Sequence, residues 1–288
     1  MTVLDDLKMQ YKTGGVANRL IYWNVGCFLV SLVLFYSYQT GVFVFPSWAA
    51  LSSEPLEVIR APWTILTYAF LHDGFWHLFF NMMVLNFSAR LFETFFTQKQ
   101  LLGVYLLGGM FAGVVFVLSY YLLHENVTVL VGASAAIMAV LVAVTTYQPL
   151  MRVQLLFLGS VSLWHVTAVV LLLDVMQIRL DNTGGQISHL AGALFGFLYI
   201  RLLLAGTDLS RGVNVVLDGI TGLFDRKPKT PFKKVHVNPK KPTAAKASRI
   251  VTKDKEQQQI DEILDKISQS GYDSLTKEEK EFLFKAGK

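Results

Sequence analysis

The chain contains a single cysteine and few charged residues. Cys27 alone cannot form an intrachain disulfide or a cysteine-ligated metal cluster. Charged residues make up 16% of the 288 residues, whereas hydrophobic residues make up 53%. A soluble domain of this length cannot bury so much apolar surface, so the composition predicts a membrane protein. Six segments have the ~20 mostly apolar residues that a spanning helix needs. They lie near 20–38, 75–96, 100–123, 129–148, 161–180 and 186–204.

Lysine and arginine residues predict how these segments are oriented, because basic residues in short loops mark the cytoplasmic side. They precede the first segment, flank the turn between the second and third, and follow the fourth and sixth. The alternate loops carry only Arg60 and Arg179. This pattern predicts six spans with both termini in the cytoplasm. The first segment is too long for a signal-peptide core and lacks a small-residue cleavage site, so no cleavable signal is expected. We expect a multi-pass integral protein of a bacterial inner membrane.

The uneven distribution of charge divides the chain into three predicted regions. Residues 1–205 contain 9 Lys+Arg and 9 Asp+Glu, so the remaining residues carry the whole net charge of +5. We predict a membrane domain over 1–205, an amphipathic and basic cytoplasmic linker over 206–257, and a small helical module over 258–288. The basic linker is expected to contact anionic lipid headgroups of the bilayer, and no nucleic-acid partner is expected.

The C-terminal module contains two short helical patterns. An apolar stripe comes first and is broken by the sequence SGYDS. Thr276 and Glu279 then have the spacing of a capping box, which begins a second helix. We interpret this hairpin as an accessory module of unknown function. The stripe consists of Ile260, Ile263, Leu264 and Ile267.

Four polar side chains on three predicted spans lie at one depth. His77 and Asn81 begin the second span, Ser134 lies a few residues into the fourth, and His189 a few into the sixth, each roughly 5–10 Å below the outer surface. Polar groups are costly in lipid and usually face a bundle interior or a water-filled cavity. Taken singly, a serine in a membrane helix is more often a helix contact. Together, the four favour a nucleophile, its base and two donors to an oxyanion.

Small residues predict which helix faces meet. His189, Gly192 and Gly196 lie on one face of the sixth span, and Ala135 and Ala139 form a stripe on the fourth. Small residues at this spacing allow two membrane helices to approach closely. Packing these stripes together is predicted to bring the Ser134 hydroxyl within reach of His189.

The three motifs that carry these residues resemble those of the rhomboid family of intramembrane serine proteases. They are GASA, which contains Ser134, HLFFN, which runs from His77 to Asn81, and SHLAGALFG, which contains His189. The resemblance covers roughly residues 18–205. It implies an all-α, six-helix bundle with a water-accessible cavity that opens outward. It further implies a dyad of Ser134 and His189, oxyanion binding by His77 and Asn81, and membrane-anchored protein substrates cut in or near their transmembrane segment. No cofactor and no metal are expected.

Some positions depart from the family pattern. Ala135 stands where glycine is common, Met138 stands where many members have a tyrosine that stacks on the catalytic histidine, and Thr64 follows Trp63 in place of an arginine. The first two support an alternative, a proteolytically silent rhomboid-like protein that binds membrane clients. A small transporter would predict inverted repeats and broken helices, which are not evident. Asp174, near the outer end of the fifth span, could be the third member of a triad. Since the resemblance implies a dyad, we interpret it instead as a loop or water contact.

Overall fold

The computed structural model describes residues 2–123, 126–155, 159–178, 183–224 and 244–286. The chain divides into two compact units, Met1–Arg226 and Lys227–Lys288. The boundary between the units falls inside the segment predicted as a linker.

The first unit is mostly helical, with short strands in its loops. The strands of the described residues form three antiparallel pairs, each between two strands that follow one another in chain order. In chain order the elements are α1 (Val3–Thr13), α2 (Gly15–Leu34), β1 (Tyr36–Ser37), β2 (Val42–Phe43), β3 (Leu51–Ser52), α3 (Pro55–Arg60), α4 (Thr64–Thr67), a 3₁₀ turn (Tyr68–Phe70), α5 (Phe75–Glu93), α6 (Gln98–Leu123), β4 (Val129–Leu130), α7 (Ser134–Tyr147), β5 (Arg152–Leu155), β6 (Gly159–Ser162), α8 (Leu163–Gln177), α9 (Thr183–Leu204) and α10 (Ser210–Phe224).

Each of the six predicted apolar segments contains a helix, but their lengths differ. Helices α2, α6 and α9 are long and apolar enough to cross a membrane, whereas α7 and α8 are apolar but shorter. At 1.5 Å per residue, the 14 residues of α7 span only ~21 Å, less than the ~30 Å hydrocarbon core of a bilayer. The long apolar helices identify an integral membrane protein.

Helix α7 lies at the centre of the first unit. Its residues from Ala135 to Thr145 are all buried, and α5, α6, α8 and α9 pack around it. A helix that is apolar on every side is stable only when it is surrounded, and small alanine and valine side chains allow close neighbours. The predicted nucleophile therefore begins the most enclosed helix of the unit.

The fourth predicted span begins later than its apolar run. The run starts at Val129, but the chain stays extended there, because Leu130 pairs with Leu51 in the ladder of β3 and β4. Gly132 then adopts a φ of 127°, which favours glycine, and the helix starts at Ser134. The expectation that Ser134 lies a few residues inside a helix was wrong, since it is the first helical residue.

The second unit is a helical hairpin. The predicted capping box is confirmed: the Thr276 backbone N–H donates to Glu279 Oε2 at 2.8 Å, and the Glu279 N–H donates to Thr276 Oγ1 at 3.3 Å. Lys266 on the first helix also donates to Glu279 Oε1 at 2.8 Å. The first helix begins before the predicted start of the module at 258. The middle of the predicted basic linker, 225–243, lies outside the described residues. The elements are α11 (Ala244–Ser270), a 3₁₀ turn (Tyr272–Ser274) and α12 (Lys277–Ala286).

Candidate active site

The turn before α7 positions Ser134. The Gly132 backbone N–H donates to the Tyr68 carbonyl at 3.0 Å, which holds the extended chain against the preceding loop. A Cβ at Gly132 would lie 2.9 Å from the His77 ring, so only glycine leaves room there. The N-cap of α7 is Ala133, and the hydrogen bond of the Ser134 hydroxyl is made to His189. The serine hydroxyl is therefore directed to another helix.

The Ser134 hydroxyl contacts His189, as the helix faces predicted. Ser134 Oγ lies 2.6 Å from His189 Nε2. The close approach of α9 to α7 depends on glycine. A Cβ at Gly192 would overlap the backbone carbonyl of Ala135, and a Cβ at Gly196 would overlap that of Ala139. The predicted packing of the glycine stripe on the alanine stripe is thus confirmed.

Asp174 contacts the other nitrogen of the same histidine. Its Oδ1 lies 2.9 Å from His189 Nδ1, and the carboxyl group is buried near the end of α8. The interpretation of Asp174 as a loop or water contact was wrong. The sequence could have indicated this contact, because Asp174 near the outer end of α8 and His189 near the outer start of α9 lie at the same depth.

His77 and Asn81 lie on one face of α5. Asn81 is buried, and its amide Nδ2 donates to the His77 backbone carbonyl at 2.9 Å. His77 Nδ1 lies 2.5 Å from Asp73 Oδ1. Asp73 was not predicted to take part, although its position four residues before His77 is the spacing of a helical pair. The hydrogen bond with His77 lowers the pKa of Asp73, so this carboxylate stays charged.

A second histidine lies behind His77 in the same loop. The His72 ring is fully buried and meets the His77 ring edge-on, with centroids 5.1 Å apart. Burial and the neighbouring His77 lower the pKa of His72 to about 3. His72 is therefore neutral at physiological pH and serves as a packing residue beside His77.

All four predicted site residues line one cavity of about 430 Å³. This volume lies in the range of small-ligand and cofactor sites. Asp174 and Met138 line it as well, and most of its remaining wall is apolar. Met138 occupies the place one helical turn after Ser134 and is buried, so it offers a thioether and no aromatic ring to the site. Among the described residues, no group of three or more histidine, cysteine, aspartate and glutamate side chains is arranged to hold a metal ion.

The fold and this geometry are those of a membrane protein with a candidate serine nucleophile. A serine hydroxyl within 2.6 Å of an imidazole nitrogen, in a cavity between apolar helices of an integral membrane protein, is an arrangement suited to nucleophilic catalysis.

The comparisons with known families identify this class further. The Rhomboid domain model matches residues 60–206, and a family of unknown function (DUF6576) matches residues 251–285. No curated protein matches the chain. The chain belongs to the rhomboid family, whose members are in general intramembrane serine proteases.

Proposed function

We propose that this protein is an intramembrane serine endopeptidase that cleaves membrane-anchored proteins in or near their transmembrane segment. Ser134 is its nucleophile and His189 its general base. The observation that carries the proposal is the 2.6 Å contact between Ser134 Oγ and His189 Nε2 inside the cavity. At this distance the imidazole can accept the hydroxyl proton as the oxygen attacks. Membership of the rhomboid family supports the same reaction class.

The reaction proceeds in two halves. Ser134 Oγ bonds to the scissile carbonyl carbon while its proton moves to His189 Nε2, and the carbonyl oxygen takes up negative charge. When the C–N bond breaks, His189 gives this proton to the departing amine, and the acyl group remains on Ser134 as an ester. Water then attacks the ester and gives a proton to His189. Release of the carboxylic acid returns that proton to Ser134.

We expect three groups to stabilise the oxyanion. The first is the backbone N–H of Ser134, the first residue of α7, because the first N–H groups of a helix have no carbonyl partner within it. Asn81 uses one amide proton on the His77 carbonyl, which fixes the amide and leaves the second proton for a ligand. His77 shares Nδ1 with Asp73. If that nitrogen carries the only ring proton, Nε2 is bare, so His77 donates to an oxyanion only when it is protonated.

We also propose that six helices cross the membrane, with both termini cytoplasmic and the cavity opening toward the other side. The three long apolar helices and the apolar helices α5, α7 and α8 packed with them support this arrangement. The cavity wall favours a hydrophobic segment as substrate. The location of this protein in a bacterial inner membrane stays a prediction. The apolar side chains of the wall include Trp76, Phe80, Val84, Ile137 and Val170.

Covalent labelling and reporter cleavage test this function together. We expect a fluorophosphonate probe to label the wild-type protein and the protein to cleave a membrane-anchored reporter. Ser134→Ala should abolish both, and His189→Ala should lower both by at least ~10³-fold, because nucleophile and base act as a unit. Ser88→Ala is the matched control, since Ser88 is a buried serine whose hydroxyl donates to the Val84 carbonyl at 2.8 Å. It should retain labelling and cleavage.

The same experiment separates the proposal from its rival. A proteolytically silent rhomboid-like protein would fold and bind membrane clients without labelling or cleavage, and Ala135 and Met138 are the residues that favour it. A wild-type protein that is folded but neither labels nor cleaves would support this rival. Cleavage by Ser134→Ala at the wild-type bond would show that Ser134 is not the nucleophile.

A further inference from the structure

We propose that Asp174 is a positioning residue that completes a catalytic triad with His189 and Ser134, a role that rests on the proposed function. His189 lies between the two side chains, with Nδ1 2.9 Å from Asp174 Oδ1 and Nε2 2.6 Å from Ser134 Oγ. Three separate helices, α8, α9 and α7, supply the three residues. Both ring nitrogens are thus occupied, which fixes the plane of the imidazole.

The carboxylate determines which histidine nitrogen carries the proton. With Asp174 accepting from Nδ1–H, the lone pair of Nε2 faces the Ser134 hydroxyl, which is the tautomer that a general base requires. When Nε2 takes the serine proton, the ring becomes an imidazolium that lies against a negative charge. Asp174 itself receives no proton in this step. It acts on the reaction through the orientation and charge of His189.

The surroundings of Asp174 make a purely structural role expensive. The residue is 8% exposed, and its Oδ2 has no hydrogen-bond partner among the described residues. A buried carboxylate without full pairing is costly among apolar helices, so a packing contact alone favours an uncharged residue here. Asp174 is also the one carboxylate among the described residues that line the cavity. The other titratable side chains of the wall are Tyr68, His77 and His189 itself.

The histidine ring has no aromatic neighbour on α7 that orients it. Met138, one helical turn after Ser134, is buried and lines the same cavity. A flexible thioether fixes a ring plane less firmly than a flat aromatic surface does. The hydrogen bond to Asp174 therefore supplies the orientation of His189 in this chain.

The competing explanation is that Asp174 only holds α8 against its neighbours. Thr167, on the same helix, offers a matched control, because its hydroxyl is buried and lies 2.7 Å from the Thr145 hydroxyl on α7. Thr167→Val removes a buried polar contact of α8 away from the site. A structural role predicts similar behaviour of the Thr167 and Asp174 variants. A positioning role predicts a loss of kcat in the Asp174 variants alone.

The test measures kcat and KM on a transmembrane reporter, the rate of Ser134 labelling by a fluorophosphonate, and Tm. Asp174→Asn keeps the shape of the side chain and should lower kcat by up to ~10⁴-fold, the size of the loss in soluble triads without their carboxylate. Labelling should slow in parallel, with KM and Tm close to wild type. Asp174→Ala should lose at least as much kcat. Thr167→Val should keep its kcat per folded molecule.

The outcomes separate this role from the proposed function. An active wild-type protein whose Asp174→Asn variant cleaves within about threefold of it, a change of ~0.6 kcal/mol in barrier, overturns the role of Asp174 alone. A folded wild-type protein that neither labels nor cleaves overturns the function and this role with it. Should the Asp174 variants fail to fold, proton NMR of the wild-type protein decides. A downfield Nδ1–H resonance that disappears in His189→Ala supports the triad, and its absence overturns it.

Discussion

Asn81 is the residue whose two possible roles are easiest to separate. Its amide is anchored to its own helix through the His77 carbonyl, its side chain lines the cavity, and its second amide proton is left for a ligand. That proton would donate a strong hydrogen bond to the substrate carbonyl oxygen only as negative charge develops on this oxygen. Asn81→Ala is therefore expected to lower kcat by ~10²-fold while KM changes little. The measurement is kcat, KM and Tm on the same preparations.

Asn24 provides the control for this prediction. It is fully buried in α2, where its Nδ2 donates to the Leu20 carbonyl at 2.8 Å and to the Tyr105 hydroxyl at 3.2 Å. Asn24→Ala should lower Tm and preserve kcat per folded molecule. If Asn81→Ala behaves in the same way, Asn81 is a structural residue and does not belong to the site.

The sequence predicted most of the site, but it did not predict the partner of His189. Depth along three helices, together with the motifs, singled out Ser134, His189, His77 and Asn81, and these residues line one cavity. Asp174 was assigned to the wrong contact because α8 is apolar on nearly all sides. Without an apolar stripe, periodicity does not determine which face of a helix meets its neighbour.

At the scale of helices, Gly192 and Gly196 control the distance between α7 and α9. A Cβ at Gly192 would overlap the Ala135 carbonyl oxygen, so Gly192→Ala must move the helices apart. We expect a loss of about 1–3 kcal/mol in the free energy of unfolding. Cleavage should fall further than the folded fraction does, because Ser134 and His189 sit on the two separated helices. Thermal unfolding and reporter cleavage measure the two effects.

A glycine in another membrane helix serves as the control. A Cβ at Gly26 in α2 would meet nothing within 4 Å. Gly26→Ala should leave cleavage unchanged, and its unfolding free energy should stay the same or rise by up to ~1 kcal/mol, since alanine favours a helix. Wild-type Tm and cleavage in Gly192→Ala would mean that the helices do not approach this closely.

The positions of the helices were more predictable than their ends. Hydropathy located all six apolar helices of the first unit, because apolar length is a strong signal. It placed the start of α7 too early, since the apolar residues of β4 continue into the helix without a change in composition. The start depends on the pairing of β4 with β3 and on the conformation of Gly132, and both are tertiary features.

At the scale of the whole molecule, the chain consists of a membrane unit and a separate hairpin. The family match at 60–206 lies within the first unit, and the match at 251–285 lies within the second. The predicted boundary at 205 was too early for the membrane unit. Helix α10 belongs to it, because Asp218 pairs with Lys99 of α6 at 2.6 Å and Asn214 donates to the Lys99 carbonyl at 3.2 Å. Basic composition alone did not reveal these contacts.

Two truncations test this division. Removal of residues 227–288 should leave the first unit folded and its cleavage rate in detergent within about threefold of the full chain, because it removes no residue of that unit. Removal of 206–288 should lower Tm, because it takes away α10 and Asp208. The Asp208 carboxylate accepts from the buried Tyr199 hydroxyl at 3.0 Å, and the loss of a partner for a buried polar group costs ~1–3 kcal/mol. A folded 227–288 deletion that cleaves at least about tenfold more slowly, ~1.4 kcal/mol in barrier, would show that the hairpin takes part in catalysis.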